Sequence, residues 1–470
     1  MPPTRRTHEV RIWNSAPYEG KRGKTYRVRW RVGLKTHGKT FATSKAAESF
    51  RAELITAHRK GEPFGFDSGL PPSMLPAVDD VTWLEHACDF VDLKWPTASP
   101  RHRKGIAEAL VSVTTALLTS DRRAPDDKRL RQALQGWAFN TGERGEPIST
   151  ATPPEDIAEV ITWVRARSVP IGHLADPQVS RRAMEACGLK LDGSPAAAAT
   201  TARKRSALFS ALAYAVELRR LPANPMESIR VKRSTQFEVV DRRVVVNPHQ
   251  ARALLAAVHE LYPSLEAFFA CLYYAGLRPA EARHLRFDDL YLPEQGWGEL
   301  TLRGSTQAAG SAWSDSHTAD EDRPLKHRTS RHVRQVPAHP DLVATLRTHL
   351  DQFECSPDGR LFVSRFGIMG RPLPRPFSKP LPMGTVYRVW KQAREAALTP
   401  EQAASPLARR PYDLRHACVS TWLNAGVPAT QVAEWAGHSV HVLLRVYAKC
   451  VYGQEEQARQ RIEAALHRDP

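Results

Sequence analysis

The sequence predicts a mainly α-helical chain with small β elements, divided into three parts. Three observations lead there. Near the N-terminus, "TYRVRWRVG" (25–33) alternates apolar and basic residues with the period of a strand. The middle of the chain spaces its apolar residues at three and four, as helices do. The last part is α+β: helices, a strand "GELTLRG" (298–304), and helices again to the end.

The first part is 1–65. Tyr26, Val28, Trp30 and Val32 point one way, and Arg27, Arg29 and Arg31 the other. That is a half-buried strand whose outer face is a row of guanidinium groups. "KTHGKTFAT" (35–43) follows across a short turn as its partner, and Ser44 can cap the helix "KAAESFRAELITAHRKG". A small sheet with one helix and a cationic face suits phosphate contact; the alternative is a solvated face.

Residues 66–79, "FDSGLPPSMLPAVD", are rich in Pro and turn formers and read as a linker. The second part, 80–228, is helical. Its clearest helix is "ATTARKRSALFSALAYAVELRRLPANP", with Leu208, Leu212, Ala215 and Val216 as the inner stripe and Pro222 and Pro225 ending it. Arg203, Lys204 and Arg205 cluster near its start. A basic connector, 229–246, leads to the third part, 247–470. There the polar stretch "STQAAGSAWSDSHTADED" (305–322) reads as a flexible loop, and "RPLKHRTSRHVRQVP" (323–337) as a turn and strand. The tail "GQEEQARQRIEAALHRD" (453–469) reads as a helix with Ile462, Ala465 and Leu466 as its apolar contacts.

The charge balance narrows the partner. There are 67 Lys+Arg against 50 Asp+Glu, a net charge of +17. Arg outnumbers Lys roughly three to one, and Arg is the residue suited to bidentate phosphate contacts. A large polyanion follows, nucleic acid ahead of membrane. The longest apolar run, "AFFACLYYAGL" (267–277), is too short for a bilayer and reads as a buried helix. The N-terminus lacks the apolar core of a signal peptide. Cysteines 88, 187, 271, 355, 418 and 450 show no metal-type spacing, which fits reduced thiols in a cytoplasm. No Walker loop or His/Cys/Asp cluster calls for a nucleotide or metal, so no cofactor is expected.

The residues that carry chemistry lie in the third part. "YAGLRPAEARHLRFDDL" (274–290) places Arg278 and Glu281 one helical turn apart, beside Pro279 at a first helical position. "RPYDLRHACVS" (410–420) carries Arg415. In "WAGHS" (435–439), Gly437 stands where a helix would stop, just ahead of His438. Pro428 and that glycine bracket "ATQVAEWA" as a short helix. Nine residues past His438 comes Tyr447, on the stripe Val440, Leu443, Leu444, Tyr447 of an amphipathic helix. Spacing alone makes Tyr447 a core residue.

The order GLRxxE, a lysine in a β-turn, xDLRH, GHS and a tyrosine resembles the tyrosine recombinases, the phage-type integrases. The three parts resemble their arm-binding, helical core-binding and α+β catalytic domains. The resemblance implies a site-specific DNA recombinase, resident in the cytoplasm with the nucleoid. It works as a homotetramer on double-stranded attachment sites, with a possible directionality factor and no membrane. Tyr447 matches the nucleophile that forms a 3′-phosphotyrosyl link, a covalent intermediate that keeps the bond energy. Arg278 and Arg415 match the arginines that clamp the non-bridging oxygens, and His438 the histidine that hydrogen-bonds the phosphate. Lys326, the sole lysine between Lys232 and Lys379, matches the acid that protonates the leaving 5′-oxygen, though it lies further upstream of "RQVP" than the family shows.

One residue departs from the pattern. The family places histidine three residues before its second arginine, where this sequence has Tyr412. A phenol donates a hydrogen bond readily but accepts a proton poorly near neutral pH. That puts the proton-accepting step at this position in doubt. Tyr452, a further tyrosine, has the wrong spacing from "GHS". Two other classes share parts of the pattern: a DNA-binding regulator on an inactive recombinase fold, and a type IB topoisomerase. The intact Arg278, Arg415, His438 and Tyr447 argue against the first, and the arginine-faced strand against the second.

Overall fold

A computed structural model describes the chain apart from residues 1–5, 21–22, 67, 75–80, 191, 230–239, 309, 326–332, 368–369, 448–458, 461, 464–465 and 467–470. Lys326, Tyr452, part of the first linker, most of the second and most of the tail therefore lie outside the described residues. The chain forms two compact units, Met1–Pro96 with Gly105–Arg230 and Thr97–Lys104 with Val231–Pro470.

In the first unit, β1 (Val10–Ile12), β2 (Ala16–Gly20), β3 (Gly23–Val32) and β4 (Lys35–Phe41) form an antiparallel sheet. β3 is central: β4 runs along one edge, and β1 and β2 share the other end to end. The alternation holds as read. Val28, Trp30 and Val32 are buried against Leu54 and Ala57 of α1 (Ser44–Arg59), while Arg27 and Arg29 are exposed. Register puts Arg11 directly opposite Arg31, which adds a fourth guanidinium that sequence reasoning missed. Thr43, not Ser44, caps α1, its hydroxyl accepting from the Ala46 N–H at 3.3 Å. Ser44 falls one residue inside, as helix ends often do against a sequence guess.

Further along this unit, α2 (Ala198–Glu217) is the expected long helix. Leu208, Leu212 and Ala215 are buried and Val216 is only half-buried. The basic cluster at its start is split. Lys204 turns inward, and its ammonium donates to Ser112 Oγ at 2.8 Å and Leu189 O at 2.6 Å.

The second unit is built around α4 (Glu266–Tyr274), reached from α3 (Pro248–Leu261). The run read as a buried helix is one: Phe268 packs edge-on to Phe362 at 5.4 Å and Phe269 stacks on Trp390 at 5.0 Å. Each such buried side chain stabilises the fold by roughly 2–3 kcal/mol. The one-turn α5 (Pro279–Ala282) follows, then β5 (Gly298–Leu302), β6 (Ser305–Ala308), β7 (Asp320–Arg323) and β8 (Arg334–Ala338). After them come α6 (Pro340–Gln352), α7 (Met383–Ala397), α8 (Asp413–Asn424), α9 (Ala429–Ala436) and α10 (Val440–Tyr447).

The polar stretch 305–322 is not a structureless loop. Its ends form the antiparallel β6–β7 pair, with Thr306 opposite Asp322. The hairpin is held by charge rather than by apolar packing. Arg283 donates to Thr306 O at 3.0 Å and pairs with Asp320, and Arg360 pairs with Asp322 at 3.0 Å. Burial opposes the charge on Asp322, but hydrogen bonds from His284 and Thr306, with Arg360, outweigh it and hold the carboxyl well below its usual range.

The stripe on α10 is also narrower than its spacing suggests. Leu443 and Tyr447 are fully buried, while Val440 and Leu444 are exposed. Among the described residues no helix is long and apolar enough to cross a membrane.

Candidate active site

Each candidate side chain is set by a local backbone reason. Arg278 is the N-cap of α5, with Pro279 at the first helical position. Its backbone N–H donates to Glu281 Oε2 at 2.8 Å, and its guanidinium to Glu281 Oε1 at 2.6 Å. The guanidinium also reaches Gly437 O at 2.8 Å. Arg415 sits in the first turn of α8, fully buried. It donates to the carbonyls of Gly276 and Ala436 and to His438 Nε2 at 3.0 Å.

His438 is placed by a helix stop. Gly437 adopts the left-handed conformation, φ 61°, and the His438 N–H closes back on Ala433 O at 2.9 Å. That six-to-one bond is the Schellman end of α9. Glycine is required twice over, because a Cβ here would stand 2.3 Å from an Arg334 nitrogen and 3.3 Å from one of Arg278. The orientation of His438 also fixes its tautomer. Arg415 can only donate, so His438 Nε2 accepts and the proton sits on Nδ1. Nδ1 is buried and has no hydrogen-bond partner among the described residues. It is a donor that the described residues leave unfilled.

Tyr447 ends α10. Its ring is buried among Val419, Leu423, Val432, Ala436 and Leu443, and the Val240 N–H ties the helix end down at Val446 O, 2.9 Å. The phenol oxygen lies 2.9 Å from His416 Nδ1, and the His438 and Tyr447 rings are 6.3 Å apart.

The structure brings four of the five sequence candidates together: Arg278, Arg415, His438 and Tyr447. Lys326 lies outside the described residues. Three other residues belong to the cluster. Sequence spacing singles out Glu281 without a role, yet it is the buried carboxylate around which the arginines gather. Arg334, an ordinary strand residue by sequence, donates to Glu281 at 2.7 Å and is itself buried. His416 follows Arg415 in the chain, and no sequence signal gives it a role.

The electrostatics are lopsided. One carboxylate faces three guanidiniums: Arg334, Arg278 and, at 4.0 Å, Arg415. Burial alone would raise the Glu281 pKa, but these arginines outweigh it and hold it well below the carboxylate range. Burial opposes charge on Arg278 as well, and Glu281 with the Tyr412 phenol outweighs it and raises its pKa. His438 is pushed down to about 3, first by burial and then by Arg415 and Arg278. It is therefore neutral at pH 7. The Nε atoms of Arg334 and Arg415 are buried without a partner among the described residues. Excess positive charge with unfilled donors forms a receptor for a small anion, and a phosphodiester has the oxygens to fill it.

Residues 245–452 match the model of the phage integrase family. No curated protein matched. Among solved structures, the Tn1549 transposon integrase in complex with a circular intermediate DNA is 16% identical, with 65% of this chain and 90% of that one covered at a TM-score of 0.45. The XerH site-specific recombinase bound to its difH substrate is 13% identical, with 82% and 96% covered and a TM-score of 0.43. A lambda integrase dimer bound to a core site is 14% identical, with 63% and 92% covered and a TM-score of 0.38. Residues 245–452, which hold the buried arginines, His438 and Tyr447, are the part of this chain that matches the phage integrase family, the tyrosine-type site-specific recombinases.

Proposed function

We propose that this recombinase cuts double-stranded DNA at its attachment sites with Tyr447 as nucleophile, moving a mobile element into or out of its target. The observation that carries the assignment is the Tyr447 phenol buried beside Arg415 and His438. In the cleavage step the phenol oxygen attacks the scissile phosphate and the 5′-oxygen leaves. Arg278, Arg415 and the His438 Nδ1–H stabilise the charge that develops on the non-bridging oxygens. Rejoining is the reverse attack by a 5′-hydroxyl. Mass mapping of the adduct trapped on a nicked duplex tests this; a peptide linked through Tyr412 or Tyr452 would overturn it.

Lys326 is the general acid in this reading. Lys326→Ala should cleave ordinary DNA very poorly, by on the order of 10²–10⁴-fold. A 5′-bridging sulfur leaves without protonation, so that substrate should restore most of the rate. Equal defects on both substrates would remove Lys326 from the role.

The other parts divide the binding. Residues 1–65 hold an arm-type site, 80–228 grip the core site, and 247–470 carry catalysis. Four protomers assemble on two sites, and a directionality factor sets the outcome. Ile462 and Leu466 are exposed on the protomer, which suits a tail that docks on a neighbour. Replacing Arg27, Arg29 and Arg31 together with Gln should lower the salt slope of full-site binding by roughly three units, at ~0.9 per phosphate neutralised. Core-site cleavage should not change. An unaltered slope in a folded variant would mean that this face is only solvated.

A further inference from the structure

Tyr412 stands where the family's proton-accepting histidine would be, so the Tyr447 proton needs another destination. The site offers few. Glu281 is occupied by three arginines. His438 Nε2 is engaged by Arg415. Asp413 is buried and hydrogen-bonded to the backbone and side chain of Arg410. His416 is different. Its Nδ1 is 2.9 Å from the Tyr447 hydroxyl, with the rings 5.6 Å apart and tilted at 59°. Tyr412, one turn back in the chain, packs edge-on against it at 5.0 Å and fixes the ring.

We propose that His416 is the base that takes the Tyr447 proton in strand cleavage and returns it in rejoining. The assignment rests on Tyr447 being the nucleophile. As the phenol oxygen bonds to phosphorus, its proton moves to Nδ1, giving an imidazolium. The bond from phosphorus to the 5′-oxygen breaks, and that oxygen takes a proton from the general acid. Rejoining runs both transfers backwards, so the cycle consumes no proton. Nδ1 can accept when the ring proton sits on Nε2, and the ring is half-buried rather than sealed in the core. Burial, then Arg410 and Arg415, push His416 down to about 4, so it is neutral and able to accept at pH 7. The groups facing it are Arg410, Tyr412 and Arg415 around the start of α8, Tyr447 on α10, and His438 beyond Tyr447.

The test is single-turnover cleavage of a nicked duplex built from repeats flanking the protein's own coding region. His416→Ala should bind this duplex as the parent does and cleave it on the order of 10²–10⁴-fold more slowly. Added imidazole, or a rise in pH, should recover much of the loss. His416→Asn keeps an acceptor near the Nδ1 position but cannot take a proton. It should be as slow as the Ala variant, and it guards against a fold that fails when the ring is removed. Parent-like cleavage by His416→Asn, or a defect in His416→Ala that neither imidazole nor pH relieves, would reduce His416 to a positioning residue and overturn the proposal. Tyr447→Phe on the same duplex separates the two readings. If it still forms adduct, the nucleophile itself is misassigned. If it forms none while His416→Asn runs at full speed, only the base is wrong.

Discussion

Tyr447→Phe should bind DNA like the parent and form no covalent protein–DNA adduct on a nicked suicide substrate. The change removes one oxygen and leaves the packed ring. That ring lies among Val419, Leu423, Val432 and Leu443, so the main loss to the fold is the hydrogen bond to His416, about 1 kcal/mol. The chemistry loses its nucleophile altogether. Tyr452→Phe should keep adduct formation, and so should Tyr412→Phe, though more slowly if the Tyr412 phenol helps to orient Arg278. Adduct formed by Tyr447→Phe and not by Tyr452→Phe would move the nucleophile.

The opposing readings of Tyr447, packing and chemistry, turn out to be compatible. The helix stripe buries the ring, and the hydroxyl lies beside His416, close to Arg415 and His438. An aromatic body with a polar tip does both at once. That buried body also limits where the Tyr447 phenol can point.

Much of the site is legible in the sequence because each residue sits beside a strong local signal. Pro279 marks the start of the turn that carries Arg278, and Gly437 marks the stop that places His438. The strand carrying Arg27, Arg29 and Arg31 is legible because little besides a half-buried strand produces strict alternation. The β6–β7 hairpin is not. Its strands contain no apolar alternation, and its pairing is held by Arg283 and Arg360, which lie far away in sequence. The α10 stripe misleads in a different way. Spacing says which residues share a face but not how far the neighbouring helices reach along it, so Val440 and Leu444 look equivalent to Leu443. Arg334 and His416 stay hidden because an arginine in a strand and a histidine in a helix are ordinary alone. Only the fold brings Arg334 to Glu281 and His416 to Tyr447.

Glu281→Gln should destabilise the free protein more than any surface substitution, by roughly 3–5 kcal/mol. The carboxylate is nearly inaccessible and is bonded to Arg278 and Arg334, with Arg415 at 4.0 Å. Gln keeps the shape and removes the charge, which leaves three guanidiniums facing one another, two of them buried from water. By contrast, the exposed Lys391–Glu395 pair, at 3.8 Å, should give less than about 1 kcal/mol when Glu395 is changed to Gln. The depressed pKa sets the pH window. The contribution of Glu281 is complete above its unfolded value and is lost only as pH falls toward the much lower folded value. The parent should therefore hold this part of its stability through mild acid. Bound DNA should change the comparison, because a phosphate in the cup supplies part of the missing negative charge. Urea unfolding of parent and Glu281→Gln, each with and without a DNA duplex, reads this directly. The stability gap should narrow when the duplex is present. A gap that stays the same would mean that no phosphate enters the arginine cup.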